Sequence, residues 1–169
     1  NVMVTTLDND SVGIVVSPTA GLTTTENGGS ASFAMHLNSQ PTANVTVSIM
    51  SSDLTEGTVA PATVTFTTVD WASNHTVTVT GVNDVLGDGN VDYTVVTGNT
   101  VSADPAYSGL VVSDVSVTNL DSTVRGVSIT PTAGSTTSET GASAFLSMVL
   151  VSAPLADVTV SLASSDVTE

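Results

Sequence analysis

The chain has 169 residues and a formal net charge of −15 at pH 7, with Arg125 as its one basic side chain. Binding to phosphate depends on Lys and Arg displacing counterions, so nucleic acid and anionic membrane are poor partners and cations are natural ones. The absence of cysteine removes disulfides, thiolate zinc sites and a cysteine nucleophile, and no run approaches the ~20 apolar residues that insertion into a membrane requires.

Strand-type alternation recurs along the chain. It begins with GIVVS at 13–17 and ASFAMHL at 31–37, where Phe33, Met35 and Leu37 share a face. NVTVSIM puts Val45, Val47 and Ile49 inward, ATVTFT does so with Val64 and Phe66, and HTVTVTGV with Val77 and Val79. VDYTVV supplies Val91, Tyr93 and Val95, and SDVSVTNL supplies Val115 and Val117. Each segment is bounded by Gly, Pro, Asn or Asp, and no window carries a capped helical period. The spacing predicts an all-β, immunoglobulin-like, seven-stranded antiparallel β-sandwich. Trp71, just before the fifth strand, is expected to cover one end of the core.

An internal repeat sets the organisation. VSPTAGLTTTENGGSA from Val16 returns as ITPTAGSTTSETGASA from Ile129, an offset of 113 residues. The offset holds without a gap between residues 1–56 and 114–169, with about 30 of the 56 pairs identical. The reading is therefore of sandwich repeats in tandem. Residues 1–12 are the final strand of a preceding repeat, 13–125 a complete repeat, and 126–169 the first strands of a following one. A part-domain at 126–169 exposes its inner face. The polypeptide is thus expected to continue at both ends, or to be covered by other copies of itself.

Most acidic residues fall between the strands. Alternate loops of a sandwich lie at one end, which places Glu26, Asp53, Asn83, Asp84, Asp88 and Asp121 at a common pole beside the next repeat. With so few basic partners, clustered carboxylates must be solvated, protonated or metal-bound. Like charges roughly 4 Å apart repel by about 4 kcal/mol at an effective dielectric near 20. Hard oxygen donors in flexible loops suit Ca²⁺, whereas Mg²⁺ demands a stricter octahedron and zinc prefers His or Cys. The alternative is an ordinary polar loop surface that keeps the protein soluble. DVLGDGNVD is not an EF-hand loop, because the glutamate at the twelfth position is missing.

TTTENGGSASF, SSD, ATVTFT…W…HTVTVTGVND…DG…Y and VSVTNLD together resemble a Calx-β repeat, in the divergent form found in large bacterial surface and adhesin-type proteins. The resemblance spans the complete repeat and, through the internal match, both partial ones. It implies calcium ligation by Glu26, Asp53, Asp84, Asp88 and Asp121. The chain departs from the family pattern at Asn83, Val91, Ser122 and Thr123, where acids are common, so one weakly held calcium is expected. Asp8 and Asp10, with Asn9, keep more of the terminal acidic run, and Glu139 and Asp166 look like half of a neighbouring site.

Catalysis is not expected. His36 and His75 stand in no Ser/His/Asp or metal-ligand spacing, and the few aromatics give no sugar cleft for paired carboxylates. Asn44 and Asn74 fit the N-glycosylation pattern, which is frequent by chance. The expected function is a structural or adhesive repeat of a secreted bacterial surface protein or extracellular filament, stiffened by calcium at repeat junctions. Its partners would be neighbouring repeats, other copies, or a surface ligand. A glycan- or receptor-binding module, or an accessory domain of a large secreted enzyme, are the competing readings.

Overall fold

A computed structural model describes residues 1–7, 9–131 and 134–166, all in strands, turns and irregular segments, with no helix among them. The chain divides into two compact units. The first comprises Asn1–Asp84 and Asn90–Asp121; the second comprises Val85–Gly89 and Ser122–Glu169.

The first unit is a two-sheet sandwich. One sheet has the order β1 (Ile14–Ser17), β3 (Ser30–Leu37), β7 (His75–Gly81) and β5 (Gly57–Ala60). The other runs β2 (Leu22–Thr25), β10 (Val115–Leu120), β8 (Val91–Thr97), β4 (Val45–Ser51) and β6 (Thr63–Phe66), with β9 (Val101–Ser102) also paired to β4. The inward positions of the alternating segments form the core. Phe33, Met35, Leu37, Val45, Val47, Ile49, Val64, Phe66, Val77 and Val79 are all at most 3% exposed. Trp71 packs against this core, as expected. Val91, read as a core position, is only half-buried.

All seven predicted strands are present, and three further short ones correct the count. β2 escapes the pattern because its Thr-Thr-Thr run puts a threonine on the core face. Thr24 is 1% exposed, with its hydroxyl satisfied by Asn119. β9 has only two residues, and β5 turns Gly57 inward in place of an apolar side chain. The sandwich is also not wholly antiparallel: after the Pro18–Gly21 turn the chain enters the second sheet, where β2 lies parallel to β10. Two core residues, Tyr107 and Val112, come from the segment between β9 and β10, outside any alternating run.

In the second unit, β11 (Val127–Thr130) pairs antiparallel with β12 (Ser147–Leu150). Their register, Val127 with Leu150 through Thr130 with Ser147, is that of β1 and β3 displaced by 113 residues. The bond from Val151 N–H to the Gly126 carbonyl likewise repeats that from Asn38 to Gly13. Gly134 and Gly141 take the positive φ of Gly21 and Gly28, a conformation glycine adopts without a Cβ penalty. Residues 1–7 and 9–12, read as the last strand of an earlier repeat, are exposed and carry no strand. Their sequence equivalent, β10, is held between β8 and β2.

Candidate metal centre

One end of the first unit's sandwich gathers the ends of β2, β7 and β10 and the start of β5. The parallel pairing of β2 and β10 continues one step further, with Glu26 N–H donating to the Leu120 carbonyl at 3.2 Å. Glu26 is thereby held at 3% exposure. The hairpin that follows it turns at Gly28, whose φ is +81° and whose N–H donates to the Thr25 carbonyl at 3.0 Å.

The β4–β5 loop is folded on itself by Asp53. Its Oδ1 accepts from Thr55 N–H at 2.9 Å and from Thr55 Oγ1 at 2.6 Å. The Thr55 hydroxyl first, and then its N–H, hold the Asp53 carboxyl below the ordinary carboxylate value. The carboxylate that this loop delivers to the interior is Glu56, 7% exposed. The Glu56 carbonyl accepts from Val82 N–H at 3.0 Å, which ties the loop to the end of β7.

Asn119 of β10, 1% exposed, organises the ground beneath. Its Nδ2 donates to Glu56 Oε2 and to the Val82 carbonyl, both at 3.2 Å, and its Oδ1 accepts from Thr24 Oγ1 at 2.9 Å. Thr24 Oγ1 in turn lies 3.3 Å from the Tyr93 hydroxyl. Burial pushes the Tyr93 phenol up, against the Thr24 hydrogen bond, and the negative charge on Glu56 adds to the rise. The network is tightly fitted. A Cβ on Gly57 would stand 2.1 Å from Tyr93 Oη, and one on Gly81 would stand 2.3 Å from the Thr25 carbonyl oxygen.

Each Glu56 and Asp84 offers a carboxylate oxygen, and these lie within 4.8 Å of one another. Two carboxylates this close are relieved by a cation, by a proton or by water. The donors present, carboxylate oxygens, are of the hard type that Ca²⁺ accepts.

Of the expected ligands, Glu26, Asp84 and Asp121 lie at this end. Asp84 and Asp121 are half-buried, and the Asp121 N–H is held by Asn90 Oδ1 at 3.0 Å. Asn83 is exposed beside Asp84. Asp53 sits in the right loop, but with Oδ1 turned to Thr55. Asp88 falls in the Val85–Gly89 stretch, which groups with the second unit. Asp10 is exposed ahead of β1, Glu139 and Asp166 are exposed in the second unit, and Asp8 lies outside the described residues. Asp166 N–H bonds Ser164 Oγ just as Asp53 N–H bonds Ser51 Oγ.

Glu56 and Asn119 were missed from sequence. For Glu56 a signal exists: SSDLTE at 51–56 returns as SSDVTE at 164–169, so the glutamate recurs along with the aspartate. Asn119 has no such marker, because its repeat equivalent is Thr6. The histidines lie away from this end. His36 Nδ1 meets Asn74 Oδ1 at 3.2 Å, and His75 stacks edge-on to Phe66 with Nε2 3.8 Å from Asp70.

Fold and pole together define an immunoglobulin-like β-sandwich module with an acidic end. No family model and no curated protein matches the chain. Among solved structures it is similar to the apo form of the Calx CBD1 domain, at TM-score 0.51 and 13% identity, over 65% of this chain and 96% of that one. It is also similar to the calcium binding domain CBD12 of CALX1.1, at TM-score 0.50 and 13% identity, over 64% of this chain and 44% of that one. At such identities the likeness is one of fold.

Proposed function

We propose that the chain is a run of tandem sandwich repeats from a secreted bacterial surface protein or extracellular filament, with a structural or adhesive role and no catalysis. In this reading, residues 13–125 form a complete repeat, and calcium at its acidic end stiffens the junction between repeats. The observation that carries it is Glu56, buried and offering a carboxylate oxygen within 4.8 Å of one from Asp84. Glu56 and Asp84 are the anchoring ligands. Glu26 and Asp121 line the same end, Asp88 follows in the loop that carries Asp84, and Asn119 fixes the Glu56 carboxylate. Bound calcium would supply charge neutralisation and a cross-link between loops. The tandem reading is supported by the displaced strand register of β11 and β12 as well as by the sequence repeat.

The test is a pair of thermal melts, one in millimolar calcium and one in chelator, on the wild type and Glu56→Gln. Calcium is expected to raise the wild-type Tm by several degrees, as ligand binding to the folded state alone requires, and to leave the variant almost unmoved. Identical wild-type melts would sink the calcium reading.

A further inference from the structure

The second unit holds a groove of about 480 Å³, lined by apolar side chains that include Val127, Leu150, Leu155 and Val158, together with Ser152 and Arg125. By the 113-residue offset, Ser152 and Leu155 correspond to Ser39 and Thr42. In the first unit that surface is covered. Tyr107, 1% exposed, donates its hydroxyl to the Ser39 carbonyl at 2.7 Å and accepts from Ser39 N–H at 3.1 Å. Asp104 Oδ2 accepts from Thr42 N–H at 2.7 Å. Leu37 and Val45 belong to the same buried cluster as Tyr107 and are 1% and 0% exposed; their equivalents, Leu150 and Val158, are 37% and 51% exposed.

We infer that the groove of the second unit is a socket for a tyrosine loop of the Asp-Pro-Ala-Tyr type, with the phenol directed to the main chain of Ser152 and the acid to Leu155 N–H. Both the hydrogen-bonding main chain and the apolar lining point to that occupant, and so does charge. The chain's one arginine lines the groove, and the loop that fills the equivalent place in the first unit carries Asp104. The loop also has shape of its own. Asp104 Oδ1 accepts from Ala106 N–H at 2.9 Å, and the Thr100 carbonyl accepts from Gly109 N–H at 2.8 Å.

This inference rests on the repeat reading and is independent of calcium. It is tested with the whole chain in chelator, so that failure here leaves the calcium melts standing. The probe is a synthetic peptide spanning residues 99–112, titrated while backbone amide resonances are followed. Saturable shifts centred on Ser152, Leu155 and Val158 are expected. A Tyr107→Phe peptide should bind about fivefold to tenfold more weakly, the loss of one hydroxyl's hydrogen bonds. Arg125→Gln in the chain should weaken the wild-type peptide at low salt and leave an Asp104→Asn peptide unaffected. Absence of shifts in the second unit, or equal binding of a scrambled peptide, overturns the proposal.

Discussion

Residues 14–49 and 127–162 are two copies of one sequence pattern in two different states of burial. The antiparallel pairing of β1 with β3 and of β11 with β12 has the same register in each. Yet Phe33, Val47 and Ile49 are 2%, 0% and 3% exposed, while Leu146, Val160 and Leu162 are 53%, 43% and 67% exposed. Local sequence thus sets the pairing of near neighbours, and burial is supplied by strands far along the chain. In the first unit these are β7 against β3 and β8 against β4.

The largest effect that can break this comparison is a matched pair of truncations. Met35 is 0% exposed, and Met35→Ala should cost about 2–5 kcal/mol, the range for emptying a packed core position. Met148, its half-buried equivalent, should cost less than about 1 kcal/mol as alanine. Denaturant unfolding of both variants gives the answer. Equal losses would mean that the second unit is as well packed as the first.

Next in size is the acidic end, where close main-chain fits and buried hydrogen bonds meet. Gly81→Ala places a Cβ against main chain that cannot rotate away, so a loss of about 1–3 kcal/mol is expected in the same measurement. Asn119→Ala leaves the Thr24 hydroxyl and the Glu56 carboxylate without their shared partner. A loss of about 1–3 kcal/mol is expected from the buried hydrogen bonds removed. Calcium should recover part of it if the ion holds Glu56 in place of the amide.

These residues also mark what the sequence could and could not disclose. The seven alternating strands and their core faces were legible, because an apolar residue at every second position reports directly on a half-buried pleat. Loop alternation put Glu26, Asp84 and Asp121 at one end of the sandwich; it put Asp88 there too, which groups with the second unit. Which carboxylate turns inward was not legible. Asp53 and Glu56 share a loop, and hydrogen bonds decide between them: Thr55 occupies the Asp53 carboxylate while Asn119 holds that of Glu56. Tyr107 was illegible for a related reason: its burial depends on Ser39, 68 residues earlier, and on no periodic neighbour.

The smallest expected effect concerns pH, and it tests how the loop that covers the far end of the first unit is held. The N–H of Thr42, and then that of Ala106, keep the Asp104 carboxyl below its ordinary value. A carboxyl with a lowered folded value favours folding once it is ionised in both states, so its contribution is present above the ordinary range, near pH 4. The contribution is lost as pH falls through the lowered folded value. Asp104→Asn should therefore be less stable than wild type at pH 7, and the gap should narrow as both are unfolded in denaturant at successively lower pH down to about 3. Asp53 and Asp70 are shifted the same way by Thr55 and Thr67, so both proteins will still lose stability in acid. A gap that stays constant across the series would show that Asp104 serves through shape alone. The charge-assisted bond to Thr42 N–H would then contribute nothing to keeping Tyr107 in place.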